Sequence, residues 1–307
     1  MQRVVVCLAV AIAVAGCAAR KDVRTIRTTS AAGAEGRGHD SLDAFIQTVR
    51  ARSERARPRT ANEEVRTLEA SEPSLADALR AVTAAPSAAT HRAVAAHYVR
   101  LGVFDLAHEH FSHAVALDAK DVASWDGLAR IWRDWGFPHL ALADAYRALY
   151  YAPDSPIVHN TLGTVFQALG RRADARAQYE KALAIDSTAV YALTNLCYGW
   201  VLDGEAAKAT DACREALRLQ PDLESARNNL ALAFGSAGDL PAAVATFAEA
   251  GDRARAAYNE GILHLARRRY RDALTAFTQA LTSRPQFGAA EALARQARSR
   301  LREESGQ

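Results

Sequence analysis

Glycine and alanine recur along this chain at a fixed spacing of 34 residues. The three series are Gly102, Gly136, Gly170, Gly204 and Gly238; Ala107, Ala141, Ala175, Ala209 and Ala243; and Ala114, Ala148, Ala182, Ala216 and Ala250. Because glycine occupies only 17 of the 307 positions, the glycine series alone would arise by chance with a probability on the order of one in 10⁵. A period of this length predicts a repeat protein, in which each unit packs against its neighbours.

Each unit has the pattern of a helical hairpin. An aromatic residue stands four positions before each glycine, in the series Tyr98, Trp132, Phe166, Trp200 and Phe234, and prolines close several units at Pro153, Pro221 and Pro285. We expect the glycine to end the first helix in a left-handed conformation, and the alanines to let the two helices approach closely. This pattern resembles the tetratricopeptide repeat, and the resemblance covers about residues 88–285.

The resemblance implies an all-α fold, a right-handed α-solenoid of about six helical hairpins with a capping helix over residues 286–307. The six units span residues 88–121, 122–155, 156–189, 190–223, 224–253 and 254–287. The last unit is offset, because Ala243 and Ala273 are only 30 residues apart, which predicts that about one helical turn is missing after Gly251. Arg268 and His264 replace its glycine and aromatic, as is expected near the end of a solenoid.

The N-terminus has the pattern of an export signal. Arg3 precedes an apolar run over residues 4–14, which is shorter than the ~20 residues of a membrane-spanning helix. The run ends in Val14-Ala15-Gly16-Cys17, which resembles the lipobox of bacterial lipoproteins. The resemblance implies a signal peptide over residues 1–16 and a lipidated Cys17 that anchors the chain in a membrane. An ordinary cleaved signal that contains a cysteine is the alternative.

Two segments separate this signal from the repeats. Residues 17–40 are rich in arginine, threonine, serine, alanine and glycine without apolar periodicity, which predicts a flexible tether. Residues 41–87 contain short helical patterns broken by prolines, which predict a helical preamble or cap. Because alanine follows Cys17, the lipoprotein resemblance favours the bacterial outer membrane, with the chain facing the periplasm.

The family resemblance also locates a partner-binding surface, because the first helices of such repeats line a concave groove. The position just before the Leu-Gly/Ala pair of the family pattern points into this groove, and it is occupied by Asn195, Asn229 and Asn259 in three successive units and by Thr161 in the third unit. Asp126 and Asn160 stand one residue earlier in their own units. The basic residues Arg92, Arg130 and Arg133 are further candidates. Carboxamides bond both the donor and the acceptor of a peptide backbone, and arginines bind carboxylates. We therefore predict a protein or extended peptide partner. The alternatives are asparagines that bond the neighbouring helix and arginines on a solvated face.

Histidines cluster in the first unit, at His108, His110 and His113, with His91 and His97 nearby. The sequence is not the zinc motif HExxH, because Ser112 stands where the second histidine must be, and the three side chains fan around one helix. We therefore predict exposed helix histidines and no metal.

Cys197 and Cys213 lie in the first and second helices of one unit. Their positions look about a turn out of register across the hairpin, which predicts buried thiols. In an oxidising periplasm a disulfide is the alternative.

The chain contains no GxSxG, P-loop or GxGxxG motif, and its net charge of +3 is too small to predict nucleic acid as a partner. We predict a scaffold that is not an enzyme and has no cofactor and no small-molecule substrate.

Residues 226–232, 250–252 and 257–261 are similar to the tetratricopeptide lipoproteins of Tad (Flp) pilus assembly, which implies support of outer-membrane secretin assembly. The alternative is a metal-binding or enzymatic envelope protein that uses the histidine-rich first repeat.

Overall fold

The computed structural model describes residues 67, 69–249 and 251–305. Most of these residues lie in fourteen α-helices, residues 69–71 are also helical, and the described residues include no β-strand, so the predicted all-α class is confirmed. Within this part of the chain, no helix is long and apolar enough to cross a membrane. The signal peptide over 1–16, Cys17, the tether over 17–40 and most of the preamble lie outside the described residues.

The described residues fall into two compact units, whose boundary lies between Gly127 and Leu128. The N-terminal unit contains α1 (Pro73–Ala84), α2 (Ala88–Leu101), α3 (Phe104–Leu117) and the beginning of α4 (Val122–Asp134). The C-terminal unit continues with α5 (Pro138–Tyr151), α6 (Pro156–Ala168), α7 (Arg172–Ile185), α8 (Val190–Asp203), α9 (Ala206–Leu219), α10 (Glu224–Ala237), α11 (Leu240–Ala248), α12 (Arg253–Ala266), α13 (Tyr270–Ser283) and α14 (Gly288–Ser305).

In the N-terminal unit, α2 packs against both α1 and α3. Ser87 caps α2 by accepting a hydrogen bond from the Thr90 N–H, and the Thr90 side chain accepts one from the Ser87 N–H. This reciprocal capping box satisfies two amide groups that the helix itself leaves unpaired. The buried Tyr98 side chain donates a 2.5 Å hydrogen bond to Glu69 Oε1, which ties α2 to the chain that precedes α1.

The first helix of each hairpin ends in a left-handed turn, as the glycine series predicts. In the C-terminal unit, Gly170 has φ 74° and Gly204 has φ 77°. The Arg171 N–H donates a 2.9 Å hydrogen bond to the carbonyl of Phe166, the aromatic of that unit. This bond satisfies a carbonyl at the helix end. In the last hairpin, Arg268 adopts the same conformation at φ 57°, although it is not a glycine.

Residues sixteen positions apart face one another across a hairpin. A Cβ atom on Gly163 would lie 2.4 Å from Tyr179 Cε1, and one on Gly261 would lie 2.5 Å from Phe277 Cε1. The same pair of positions, 34 residues after Gly163 and Tyr179, is occupied by the two cysteines.

Cys197 and Cys213 form a disulfide that joins α8 to α9, with their Cα atoms 5.3 Å apart. The prediction of buried thiols was therefore wrong. The two positions lie directly opposite each other rather than a turn apart, and this distance is within the range that a disulfide spans.

The C-terminal unit ends in a shortened hairpin and a further helix. Helix α11 has nine residues, whereas α9 and α13 have fourteen each, which matches the turn that the spacing of the alanines predicts to be missing. Helix α14 packs on α13 and buries Ala290, Ala294 and Ala297. These small side chains let the last helix cover the end of the stack closely.

Candidate partner-binding surface

Two predicted groove asparagines form hydrogen bonds between successive first helices of the C-terminal unit. Asn195 Nδ2 on α8 donates a 2.8 Å bond to Asn160 Oδ1 on α6. Asn229 Nδ2 on α10 donates a 3.2 Å bond to the backbone carbonyl of Thr194 on α8. Each amino group therefore reaches the helix of the preceding repeat. The structure places these side chains in one row, in which they also help to hold the repeats together.

The row continues to a residue that the sequence analysis missed. Asn228 occupies the same position in its unit as Asn160, 68 residues earlier. Its Oδ1 atom is buried and accepts no hydrogen bond from the described residues, and leaving such an acceptor unpaired costs about 1–3 kcal/mol. The 34-residue period contains the signal that could have identified it, because Asn160 was already a candidate.

Asn259 lies on α12, after the shortened hairpin, and only 6% of its surface is exposed. It is thus more enclosed than Asn195 and Asn229, which are partly buried. Thr161 is buried on α6. These two candidates belong to the packed interior of their helices more than to an open surface.

Exposed apolar side chains accompany the asparagine row. Ile157 is 54% exposed and Tyr191 is 38% exposed. Ile157 precedes Asn160 by three residues on α6, and Tyr191 precedes Asn195 by four on α8, so each apolar side chain lies about one turn away on the same helix face as an amide of the row. The surface therefore combines amides with apolar groups.

The arginine candidates contact acidic or hydroxyl side chains of the protein itself. Arg133 donates from Nη1 to Thr164 Oγ1 at 2.6 Å and from Nη2 to Asp134 Oδ1 at 2.7 Å. Arg130 is exposed. In the N-terminal unit, Arg92 Nη1 donates to both carboxylate oxygens of Asp121 at 2.7 Å. Arg92 and Arg133 therefore act at least partly in stabilising the fold.

Asp126 lies in the N-terminal unit and is 7% exposed. Within the C-terminal unit, the hydrogen bonds of Asn195 and Asn229 connect successive first helices, and Asn160 is one of the acceptors.

The histidines of the N-terminal unit are not the exposed set that the sequence predicts. His108 is buried, while His110 and His113 on α3 lie near His91 on α2. Burial, together with the neighbouring His91 and His113, lowers the pKa of His110 to about 4. Burial and His113 also lower the pKa of His91. The sequence indicated that His91 is near this set, but it did not predict that the His91 ring contacts His110 and His113 across the hairpin.

The C-terminal unit also holds a partly buried carboxyl group, that of Asp144 on α5. Burial raises its pKa to about 7, although Arg147 and a hydrogen bond with Trp132 act in the opposite direction. This carboxyl group consequently changes charge near neutral pH.

Comparison with known families gives one match. The profile of the tetratricopeptide repeat family matches residues 158–188, which comprise most of α6, all of α7 and the turns beside them. No curated protein matches the sequence.

Solved structures resemble a larger part of the chain. They include the Cut9–Hcn1 hetero-tetramer of the APC/C (18% identity, TM-score 0.62, covering 72% of this chain and 44% of that one). The type IV pilus biogenesis factor PilW gives 22% identity and a TM-score of 0.58, with coverage of 67% and 97%. PilF of Pseudomonas aeruginosa gives 17% identity and a TM-score of 0.53, with coverage of 68% and 97%. This chain thus matches less than half of the length of the Cut9–Hcn1 chain. These likenesses, together with the helical hairpins, establish the fold as an α-solenoid of tetratricopeptide repeats.

Proposed function

We propose that this chain is a lipid-anchored scaffold of the bacterial cell envelope, which binds an extended segment of a partner protein along the first helices of its C-terminal unit. The observation that carries this proposal is the row of carboxamides that ends in Asn228, whose buried Oδ1 accepts no hydrogen bond from the described residues. Asn228 itself is only partly buried, so a rotation of its side chain would bring Oδ1 to the surface, where a backbone N–H of a bound peptide would supply the missing donor.

The chemistry of the row suits a peptide backbone better than a particular side chain. A carboxamide can both donate and accept, as a peptide group does. Ile157 and Tyr191 would meanwhile contact apolar side chains of the bound segment, and such anchors contribute much of the affinity of protein interfaces. The surface therefore favours an extended segment with apolar side chains at intervals.

The disulfide supports export from the cytoplasm. Disulfides persist in oxidising compartments such as the bacterial periplasm, and the bond between Cys197 and Cys213 agrees with the export signal over residues 1–16. We propose that Cys17 anchors the chain by its lipid and that residues 17–40 act as the tether.

We further propose that the partner belongs to an envelope assembly, such as a secretin of a pilus or secretion system. The similarity of residues 226–232 and 257–261 to the lipoproteins of Tad pilus assembly supports this, and PilW, which has a similar fold, is a type IV pilus biogenesis factor. The role is that of a scaffold and not of an enzyme.

Site-specific photocrosslinking in cells tests the binding surface. Benzoylphenylalanine at Ser225, which is exposed and lies three residues before Asn228 on α10, should capture a partner that mass spectrometry identifies. The matched control places the same probe at Asp211, an exposed residue of α9. Equal capture of the partner from both positions would contradict a surface on the first helices.

The role of Asn228 is then measured with a synthetic peptide from the captured segment. Asn228→Ala should weaken binding by about 1–3 kcal/mol, because it removes an acceptor that only the partner satisfies. The variant should fold normally, since this acceptor has no hydrogen-bond partner among the residues that the structure describes. Gln220→Ala, which truncates an exposed side chain, is the control and should leave the peptide affinity unchanged. Unchanged peptide affinity in Asn228→Ala would reject the proposed contact.

The anchor is tested separately with Cys17→Ser. We expect this variant to leave the membrane fraction and to lose metabolic labelling by palmitate, while its repeats stay folded. Retention in washed membranes, with no labelling of the wild type, would show that a lipid on Cys17 is not the anchor.

A further inference from the structure

Three histidines of the N-terminal unit converge from two helices. His91 projects from α2, and His110 and His113 project from α3. The Nδ1 atoms of His91 and His110 are 3.1 Å apart. The His113 ring centroid lies 5.0 Å from that of His91 and 6.5 Å from that of His110. We refer to these residues as the three-histidine cluster.

The spacing of the first two nitrogens is close to what a shared metal ion requires. Two imidazole nitrogens bound to one tetrahedral zinc ion at 2.0–2.1 Å lie about 3.4 Å apart. The 3.1 Å distance between His91 and His110 therefore needs only a small increase and a rotation of the rings. The two residues come from facing helices, so the backbone already holds this pair together.

A third ligand is within reach but is not yet in place. Among the described residues, no group of three or more histidine, cysteine, aspartate or glutamate side chains is arranged to hold a metal ion. The His113 side chain is 57% exposed, and its Nε2 atom lies 3.9 Å from Glu109 Oε1. Such a side chain can change rotamer at little cost, and its ring centroid is already near His91.

We propose that the three-histidine cluster binds one divalent transition-metal ion of the zinc or copper class, with His91 and His110 as the first two ligands and His113 as the third. Imidazole is a preferred ligand of these ions. The bound ion would link α2 to α3 and so brace the hairpin of the N-terminal unit. This site is independent of the proposed partner-binding surface, and neither proposal depends on the other.

Isothermal titration calorimetry with zinc chloride tests the site. The protein is the full-length chain without an affinity tag, in a Cys7→Ser/Cys17→Ser background, so that no N-terminal thiol contributes. We expect one zinc ion per chain. We expect His91→Ala to weaken the affinity at least tenfold. Absence of saturable binding of one ion per chain would overturn the proposal.

Two further variants separate ligand loss from unfolding and from histidine binding in general. His113→Ala removes a mostly exposed side chain, so it should keep the helical circular dichroism spectrum while weakening zinc binding about tenfold. His97→Ala removes a histidine of α2 that contacts Arg100 and lies outside the cluster, and it should bind zinc as the wild type does. Equal affinity in His113→Ala and His97→Ala would overturn the three-ligand site. With copper(II), the electron paramagnetic resonance spectrum should show nitrogen hyperfine lines that His91→Ala reduces.

Discussion

The close approach of Gly163 to Tyr179 allows a sharp test of the packing within a hairpin. In Gly163→Ala, the new Cβ would lie 2.4 Å and 2.7 Å from two ring carbons of Tyr179, and 3.1 Å from the carbonyl oxygen of Ala175. Tyr179 is fully buried, and its hydroxyl donates a 3.1 Å hydrogen bond to Gln167. The ring therefore cannot retreat without disturbing its surroundings.

Two opposing effects decide how much Gly163→Ala changes the free energy of unfolding. Alanine is a better helix former than glycine by about 1 kcal/mol. Overpacking of a buried site costs about 1–3 kcal/mol, and contacts on a ring and on the backbone at once place Gly163→Ala at the upper end of that range. The free energy of unfolding should therefore fall by about 2 kcal/mol, measured by urea denaturation.

A matched glycine in the next repeat provides the control. In Gly199→Ala, the described residues within 4 Å of the new Cβ would be limited to Arg176, with its Cγ at 3.3 Å and its Cδ at 3.8 Å, so no ring or backbone atom would be crowded. This variant keeps the gain in helix propensity, so its stability should be unchanged or up to about 1 kcal/mol higher. In a Tyr179→Leu background, Gly163→Ala should cost much less than it does alone, which a double-mutant cycle measures. Equal unfolding midpoints for Gly163→Ala and Gly199→Ala would refute the reasoning.

Two further predictions concern the C-terminal unit. The Cys197–Cys213 disulfide closes a loop with a sequence separation of 16, which corresponds to about 3 kcal/mol of stabilisation. Dithiothreitol should therefore lower the urea midpoint of the wild type but not that of Cys197→Ala/Cys213→Ala. A wild-type midpoint that does not change with dithiothreitol would contradict this prediction. The pKa of Asp144 rises from 3.8 to about 7 on folding, so the folded state binds its proton more tightly and stability is lost as the pH rises from about 4 to 7. At about 1.4 kcal/mol per pKa unit, the three-unit difference gives an upper bound of about 4 kcal/mol. Asp144→Asn should thus be more stable than the wild type at pH 8 and should lose this advantage at pH 4, as denaturation at both pH values would show.

The sequence predicted the features that depend on local helix geometry, which are the turns that end the helices and the small residues where two helices approach. A left-handed turn after a helix favours glycine, so Gly170 and Gly204 mark the turns in the sequence as clearly as in the structure. Close approach of two helices requires small residues, and the buried Ala175 and Ala209 show the same requirement. Because both constraints recur in every unit, the period alone was enough to predict the fold class.

The features that the sequence analysis missed depend on which residues face each other across a hairpin. Cys197 and Cys213 were judged by an approximate register, whereas the pairing of Gly163 with Tyr179 shows that residues sixteen apart are opposite. His91 was recognised as a nearby histidine, but its contact with His110 across the hairpin was not predicted. A single sequence fixes positions within a helix well, but the facing of two helices depends on how their side chains pack.

The asparagine row shows why the same limit applies to the binding surface. The period predicted that Asn195 and Asn229 share a face, and their hydrogen bonds to the preceding helices follow from that alignment. Where the period breaks, in the nine-residue α11, the relation between successive first helices also changes. Asn228, on the helix just before this break, retains a buried oxygen without a donor among the described residues. The shortened hairpin therefore offers a physical reason for the unpaired acceptor at this repeat, because it interrupts the regular stacking that pairs the amides elsewhere. Under the function that we propose, a partner's backbone N–H would satisfy this acceptor.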